Sequence, residues 1–317
     1  MSKTLKDLKV VFMGTPEFSV PILESLIELT DVVLVVSQPD KEVGRKRVLT
    51  PSPVKACALE HGIEVYTPKK LREEYEYILN KKPDVIITAA YGQIVPKQML
   101  IYPDYGCINV HGSLLPKYRG ASPIQSAIMN GDKTTGITLM YMEEGLDTGN
   151  IIHAKEIPIE DDDTYGTLSE KLSILGRDLL VKTLPVIVDG ENFDIPQNDD
   201  EATSTVKIKR EDERLDFNKT ATELHNFVRA LNPSPLANIL VNGEEWKVLT
   251  TEVGDSVNGK LGEVVEVNKD SFVVACKDSS LIVKKIKPAG KKEMFVKDFF
   301  NGFNKESLKG VVLNEER

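Results

Sequence analysis

Cysteine is scarce in this chain, and long apolar runs are missing. The three cysteines, Cys57, Cys107 and Cys276, are an odd number, lie far apart and form no C-x-x-C pair. That spacing argues against a disulfide framework and against a zinc site, so we expect reduced thiols. No apolar stretch approaches the roughly 20 residues of a membrane-spanning helix, and the first residues lack the apolar core of a secretory signal. We therefore expect a cytoplasmic protein with no membrane partner.

A strong basic charge is also missing. The net charge is −9, which disfavours indiscriminate binding to nucleic acid. The charge is unevenly distributed, because residues 206–317 hold 19 Lys and Arg against 18 Asp and Glu, so the acidic excess falls in the earlier part of the chain. A nucleic-acid partner would need local basic features rather than an overall field.

Length and composition are those of an ordinary globular protein. The 317 residues exceed the usual size of one domain, and 41% of them are hydrophobic and 28% charged. In the earlier part, apolar runs such as "KVVFMG", "DVVLVVSQ" and "PDVIITAAYG" alternate with helical patterns. Continuous apolar strands separated by helices predict an α/β fold, with a mostly parallel sheet covered by helices on both faces.

The pattern then changes. Residues 190–206 are polar, have no periodicity and are rich in turn-forming residues, which predicts a linker. Beyond it, one helical stretch is followed by short strand patterns with turns such as Asn242-Gly243, which predict a small antiparallel barrel. We therefore expect a catalytic domain over residues 1–189 and a second domain over residues 207–317.

Polar side chains interrupt one of the apolar strands, in "INVHGSLLPKYRG". Residues two apart in a strand share a face, so Asn109 and His111 point the same way at the carboxyl end of the strand. Ligands bind beyond the carboxyl ends of the strands in open parallel sheets. Each residue alone has a structural explanation: a core histidine bonded to a backbone carbonyl, or an asparagine in a turn. Their pairing makes a reaction centre an equally reasonable interpretation.

A further candidate is Asp147, which lies between Gly145 and Gly149 in "MEEGLDTGNI". The glycines permit tight turns that could aim the carboxylate inward, although an aspartate in a glycine loop is commonly a turn residue. If Asp147 meets His111, it would fix the tautomer of the imidazole and stabilise its charged form, while Asn109 donates to a developing oxyanion. Spacing alone does not choose between these interpretations.

Several motifs together resemble those of the methionyl-tRNA formyltransferases, from near residue 9 to about residue 300. The motifs are "FMGTPEFSVPILESL", "QPDKEVGRKRVLTPSPVK", "AAYGQIVP", "INVHGSLLPKYRGASPIQ", "GITLMYMEEGLDTGNI", "LNPSP" and "KPAGKK". The resemblance implies a Rossmann-like formyltransferase domain followed by a small OB-like β-barrel domain that binds tRNA. It also implies transfer of the formyl group of 10-formyltetrahydrofolate to initiator methionyl-tRNA, for translation initiation. For such an enzyme we expect a monomeric chain and no metal ion.

The resemblance also implies the site residues, position by position. The catalytic residues of the family fall on Asn109, His111 and Asp147. Its folate-binding motif falls on Ser113, Leu114, Leu115 and Pro116. The resemblance also implies that the loop from Tyr91 to Pro96 shapes the pterin pocket, with Gln93 as a candidate contact. The basic loop that the family uses in tRNA recognition falls on Arg45, Lys46 and Arg47, although composition alone is equally typical of a solvated surface loop.

Two alternatives remain open at this level. One is a folate-dependent formyltransferase acting on a small amine, such as glycinamide ribonucleotide or an amino sugar, because these enzymes share the Asn, His and Asp constellation. The absence of a glycine-rich turn after the first strand disfavours a phosphate-bearing substrate and a nucleotide-dependent dehydrogenase. The other alternative is a nonenzymatic RNA-binding module built on the barrel, which leaves the polar strand end unexplained.

Overall fold

The computed structural model describes residues 4–44 and 46–315. Arg45, one of the predicted RNA-binding residues, lies outside the described residues. The chain divides into two compact units, which are described separately below. The first unit comprises Met1–Pro123, Thr134–Pro158 and Ser169–Val206. The second unit comprises Ile124–Lys133, Ile159–Leu168 and Lys207–Arg317.

Within the described residues, the first unit is built on a seven-stranded sheet. The strands of this unit are β1 (Lys9–Gly14), β2 (Asp31–Val36), β3 (Lys41–Val43), β4 (Val48–Thr50), β5 (Val65–Tyr66), β6 (Val85–Ala89), β7 (Cys107–His111), β8 (Arg119–Gly120), β9 (Thr134–Tyr141), β10 (Ile151–Pro158) and β11 (Ser204–Thr205). The sheet has the order β10-β9-β7-β6-β1-β2-β5, and β9 pairs antiparallel with both of its neighbours, β7 and β10. The five strands from β7 to β5 in this order pair in parallel, which confirms the predicted α/β class.

Helices connect the strands of this sheet. Their bounds are α1 (Val20–Leu29), α2 (Pro53–Glu60), α3 (Leu71–Glu74), α4 (Glu76–Leu79), α5 (Lys97–Leu100), α6 (Pro123–Met129) and α7 (Tyr165–Val188). Nearly all of α6 and the first turn of α7 belong to the second unit. The start of α2 follows from the sequence, because the side chain of Ser52 accepts a hydrogen bond from the backbone of Lys55 and Pro53 occupies the first turn.

The start of α1 differs from what the sequence indicates. "TPEFSVP" predicts a helix capped by Thr15, but α1 begins only at Val20, after a short 3-10 turn over Glu17–Ser19. The hydroxyl of Thr15 donates instead to the carbonyl of Tyr91 at 3.0 Å. The cap prediction was wrong because Thr15 immediately follows β1, where its side chain bonds the loop that follows the neighbouring strand β6.

Close packing of α7 fixes the back of β7. A Cβ added at Gly176 would lie 2.9 Å from Cγ1 of Val110, so the helix lies directly on that face of the strand. The hydroxyl of Ser173 on the same helix donates to the carbonyl of Phe18 at 2.6 Å. Because side chains alternate along a strand, the face opposite to Val110 is the one that carries Asn109 and His111.

The segment predicted as a linker, residues 190–206, makes backbone contacts with the first unit. Ile195 and Ile151 exchange two backbone hydrogen bonds of 2.8 Å, and β11 pairs in parallel with β8. The segment is therefore not a free connector, and the first unit extends to Val206. The assignment of residues 1–189 and 207–317 as functional domains stays a prediction.

The second unit contains a curled antiparallel sheet, which confirms the predicted OB-like fold. Its elements are α8 (Ala221–Ala230), β12 (Ala237–Val241), β13 (Glu244–Gly254), β14 (Val264–Val267), β15 (Phe272–Ala275), β16 (Ser280–Lys287), β17 (Met294–Phe295) and α9 (Val296–Phe299). The sheet order is β12-β13-β16-β15-β14, with β17 beside β16. Asn242 and Gly243 both have positive φ, 52° and 84°, and make the tight turn between β12 and β13 that the sequence predicts.

Candidate active site

The structure brings His111 and Asp147 together. Nδ1 of His111 lies 3.7 Å from Oδ2 of Asp147, and both side chains are largely buried. Nε2 of His111 lies 3.0 Å from the carbonyl oxygen of Tyr118. A carbonyl oxygen only accepts hydrogen bonds, so Nε2 carries a hydrogen. Each ring nitrogen thus faces an acceptor, and only the doubly protonated imidazole presents a hydrogen to both.

Asp147 has an unusual backbone conformation. Its φ is +53°, in the left-handed region that aspartate and asparagine tolerate better than most residues. Its Oδ2 accepts the N–H of Gly120 at 2.8 Å. The turn depends on Gly149, because a Cβ added there would lie 1.8 Å from the carbonyl oxygen of Tyr141. A carboxylate held in such a conformation, facing an imidazole, is typical of a functional site.

Asn109 is oriented by the neighbouring strand. Thr88 on β6 is its parallel partner, and the Thr88 hydroxyl donates to Oδ1 of Asn109 at 2.9 Å. Thr88 has one hydroxyl hydrogen, and among its neighbouring acceptors Oδ1 of Asn109 is the nearest. Within residues 4–44 and 46–315, Nδ2 of Asn109 has no hydrogen-bonding partner. Its N–H groups are therefore available to a substrate oxygen at the end of β7.

The predicted folate-binding motif forms a tight loop after β7. The buried Ser113 uses its hydroxyl within the loop, donating to the carbonyl of Lys117 at 2.6 Å. Thr138 on β9 donates to the carbonyl of Ser113 at 2.7 Å and accepts the N–H of Leu115 at 3.1 Å. Leu114 and Pro116 are partly exposed. The loop therefore offers a ligand its backbone and these two side chains rather than the hydroxyl of Ser113.

Gln93 also uses its side chain to hold loops together. Its Oε1 accepts the N–H of Leu71 at 2.9 Å, and its Nε2 donates to the carbonyl of Pro68 at 3.1 Å. The side chain of Gln38 donates to the carbonyl of Tyr91 at 3.1 Å. These bonds join the loops that follow β2, β5 and β6. The role of Gln93 in folate binding stays a prediction, and its observed contacts are with the backbone of Leu71 and Pro68 and with the side chain of Gln38.

The basic loop forms a two-stranded hairpin from β3 and β4. Lys46 and Arg47 lie in its exposed turn, and Nε of Arg47 lies 2.6 Å from Oε2 of Glu42 across the hairpin. Nζ of Lys55 and Oδ1 of Asp40 form an ion pair of 2.8 Å at its base. The sequence predicts an irregular loop here, whereas the two strands pair antiparallel with Val43 opposite Val48.

Comparisons with known proteins fit this geometry. A family model described as formyl transferase matches residues 8–184, and one described as formyl transferase, C-terminal domain, matches residues 207–304. Methionyl-tRNA formyltransferase of Bacillus pumilus is 50% identical over 315 residues, covering 98% of this chain and 99% of that protein. The enzymes of Macrococcus caseolyticus and Bacillus subtilis are each 47% identical, over 309 and 314 residues, covering 97% and 98% of this chain and 99% of each relative.

The chain belongs to the methionyl-tRNA formyltransferase family. The members compared above share both of its domains over nearly their whole length.

Solved structures of other proteins share the fold. WlaRD, a sugar 3N-formyltransferase crystallised with dTDP and 5-N-formyl-THF, has a TM-score of 0.64 at 22% identity, covering 90% of this chain and 99% of that chain. HypX from Aquifex aeolicus, in complex with tetrahydrofolic acid, has a TM-score of 0.63 at 17% identity, covering 94% of this chain and 47% of that chain. At these identities the likeness extends to the fold alone.

Sequence reasoning missed four residues that surround the site. Thr88 orients Asn109, Thr138 holds the loop after β7, Gly120 donates to Asp147, and Gln197 donates to the backbone around Asp147. Thr88 and Thr138 could have been found as polar residues within apolar strands. Gln197 left no signal, because it lies in a polar segment typical of linkers.

Two further findings concern metals and membranes. Among residues 4–44 and 46–315, no cluster of three or more His, Cys, Asp or Glu side chains is arranged to hold a metal ion. In the same part of the chain, no helix has both the length and the apolar character that a bilayer span requires. The expectations that no metal takes part and that the protein is cytoplasmic stay predictions.

Proposed function

We propose that the protein transfers the formyl group of 10-formyltetrahydrofolate to the α-amino group of initiator methionyl-tRNA. The observation that carries this proposal is the near-complete match, at 47–50% identity, to enzymes named for that reaction. The cluster of Asn109, His111 and Asp147 at the carboxyl end of β7 supports it, because these groups suit acyl transfer to an amine.

The reaction exchanges one carbon–nitrogen bond for another. An α-amine has a pKa of about 7.7 to 8.0, so a useful fraction is neutral near neutral pH. Its nitrogen forms a bond to the formyl carbon, and the bond from that carbon to N10 of the folate breaks. The attacking nitrogen loses one proton and N10 gains one, so the transfer is balanced without a redox partner.

The residues at the strand end match the charges of this reaction. The free N–H groups of Asn109 would donate to the formyl oxygen as it gains negative charge. His111, with acceptors at both nitrogens, would add a positive charge beside that oxygen and carry a proton between the two nitrogens, directly or through water. Asp147 would hold the imidazole in place. The scheme requires no metal ion.

Folate would be held by the loops that follow the strands. The chemistry of these loops fits the pterin ring, because they present backbone groups and partly exposed apolar side chains at Leu114 and Pro116. The folate ligands of WlaRD and HypX support a folate cosubstrate for this fold. We assign Ser113, Leu115 and Gln93 to shaping these loops.

RNA binding is assigned to the second unit and to the basic hairpin. Residues 207–317 form an appended OB-like domain, and folds of this kind bind oligonucleotides on one face of the sheet. Arg45, Lys46 and Arg47 would contact phosphates near the acceptor end of the tRNA. We further propose that residues 1–189, together with the attached segment up to residue 206, carry the chemistry, and that the chain acts as a monomer.

The experiment that tests the proposal follows the formyl group. The protein is incubated with formyl-labelled 10-formyltetrahydrofolate and, in parallel, methionyl initiator tRNA, methionyl elongator tRNA, glycinamide ribonucleotide and an amino-sugar nucleotide. We expect label on the initiator methionyl-tRNA at a kcat/KM at least about 10²-fold above any other acceptor. Preferential labelling of a small amine would instead favour the alternative function.

A further inference from the structure

Gln197 holds the loop that carries Asp147. Its Nε2 donates to the carbonyl oxygens of both Asp147 and Gly149, each at 2.8 Å. We propose that Gln197 is a positioning residue for catalysis, which keeps the Asp147 carboxylate beside His111 by fixing this turn. The inference rests on the proposed function.

The orientation of the Gln197 amide follows from its partners. The two carbonyl oxygens only accept, and Nε of Arg119 only donates, to Oε1 of Gln197 at 3.0 Å. Arg119 is itself buried, and its Nη2 donates to Oδ1 of Asp199 at 2.8 Å. Every polar atom of the Gln197 side chain is thus engaged, and a replacement that lacks the amide would break three hydrogen bonds.

Gln197 belongs to a segment, residues 192–205, that contacts both parts of the site. On one side it bonds the strands and turn around Asp147. These contacts are Asn192 to the Tyr141 hydroxyl at 3.1 Å, Asn150 to Asp194 at 2.6 Å, and the paired backbones of Ile195 and Ile151. On the other side it bonds the chain that follows the folate loop.

That second set of contacts reaches the partners of the catalytic side chains. The hydroxyl of Thr203 accepts the N–H of Tyr118 at 2.8 Å, and the carbonyl of Thr203 accepts the N–H of Arg119 at 2.8 Å. Tyr118 supplies the carbonyl that His111 bonds, and Gly120 supplies the N–H that Asp147 bonds. The segment therefore sets the spacing between the two chain regions that fix His111 and Asp147.

The positive φ of Asp147 explains why this support is needed. Left-handed conformations of residues other than glycine are sparsely populated and persist where surrounding bonds hold them. If the bonds from Gln197 are lost, the turn can relax and carry the carboxylate away from His111. A displacement of this kind lowers kcat and leaves substrate affinity largely unchanged, because the alignment of reacting groups matters most in the transition state.

The test compares Gln197→Ala and Gln197→Glu with Asn198→Ala. Among the residues that the structure describes, the Asn198 side chain bonds only Asp200 and Glu201 in its own turn, so its loss controls for damage to the segment. We expect both Gln197 variants to lose about 10-fold or more in kcat, with the KM for folate and for tRNA within about 2-fold of wild type. Gln197→Glu keeps the size and the acceptor for Arg119 but removes both N–H donors.

A double-mutant cycle with Asp147→Asn tests whether Gln197 affects kcat through Asp147. If Gln197 acts through Asp147, Gln197→Ala lowers kcat much less in the Asp147→Asn background than in wild type. A loss of the same size in both backgrounds, or a kcat within about 2-fold of that of Asn198→Ala, overturns the proposal.

Hydrogen exchange gives a readout that does not require activity. Gln197→Ala should speed amide exchange in peptides covering residues 118–122 and 144–151, and Asn198→Ala should not. Unchanged exchange in those peptides overturns the proposal. A wild-type protein that does not formylate methionyl-tRNA would contradict the proposed function, while the exchange data would still decide whether Gln197 holds the turn.

Discussion

The hydroxyl of Thr88 donates to Oδ1 of Asn109 across two parallel strands, at 2.9 Å. This single bond fixes which end of the Asn109 amide faces the space beyond β7. The oxygen is engaged by the protein, and the N–H groups remain for the substrate. An asparagine that could rotate freely would present either end, and only one end stabilises a developing oxyanion.

Thr88→Val removes this bond while keeping the shape of the buried side chain. We expect kcat to fall about 10-fold, because the amide is no longer held in its donating orientation, and stability to fall by about 1 kcal/mol. Thr183→Val is the matched control, since its hydroxyl bonds His153 instead of a catalytic residue. Equal kcat values for the two variants, in steady-state assays at saturating folate, would refute the role given to Thr88.

Asp147→Asn separates charge from shape. Asparagine tolerates the left-handed conformation, and its side-chain oxygen can still accept the N–H of Gly120. We therefore expect a folded protein whose kcat is about 10² lower, because the negative charge beside His111 is lost. The measurement is the single-turnover rate, with circular dichroism and thermal unfolding to show that the fold is kept. A rate within a few fold of wild type would mean that the carboxylate charge is not needed.

Replacing Arg45, Lys46 and Arg47 with Ser tests the basic hairpin. If these side chains contact phosphates, kcat/KM for methionyl-tRNA should fall and the slope of its logarithm against the logarithm of salt concentration should flatten by up to about 2 to 3 units. Folate binding should not change.

The matched control for the hairpin is Lys6, Lys81 and Lys82 changed to Ser. Lys6 precedes β1, and Lys81 and Lys82 precede β6, so these charges lie at the amino ends of the strands, opposite to the site. The control should keep the wild-type salt slope. If both triple variants keep it, the hairpin does not contact phosphates.

Burial of cysteine thiols makes the free energy of unfolding decrease at high pH. Burial raises the pKa of Cys107 to about 12 from an ordinary value of 9.0. The folded-state pKa is raised, so the stabilisation is complete below pH 9 and is lost as pH rises toward 12. Each such thiol removes about 1.4 kcal/mol of unfolding free energy per pH unit within that window.

Cys107→Ala isolates the contribution of this thiol. The unfolding free energy of wild type, measured in urea from pH 8 to pH 10.5, should fall more steeply than that of Cys107→Ala. Parallel curves would show that Cys107 deprotonates equally readily in the folded and unfolded states.

The period of two along β7 made half of the site predictable. Ile108 and Val110 are buried, so Asn109 and His111 had to share the opposite face at a strand end. The parallel sheet was predictable for a similar reason, since strands buried on both faces leave continuous apolar runs. The curled sheet of the second unit followed from short strands and turn residues such as Asn242-Gly243.

The remaining contacts depend on register and on distant parts of the chain. Thr88 meets Asn109 only because β6 and β7 pair in one register, which neither strand specifies alone. Gln197 lies 50 residues from Asp147 in a segment whose polarity is equally typical of a linker. Threonine is a common helix-capping residue, but the hydroxyl of Thr15 instead donates a hydrogen bond to the carbonyl of Tyr91. The local sequence pattern predicts which face of an element a side chain occupies, whereas its hydrogen-bonding partner depends on tertiary packing.

The measurement that tests the central claim most directly is the single-turnover rate of formyl transfer to initiator methionyl-tRNA by Asn109→Ala and His111→Ala. Both substrates are held at saturating concentrations, so that the rate reports chemistry at the end of β7 rather than binding. We predict that each variant folds, binds folate and transfers the formyl group at least about 10²-fold more slowly than wild type. Near-normal transfer by both variants would place the chemistry elsewhere in the molecule.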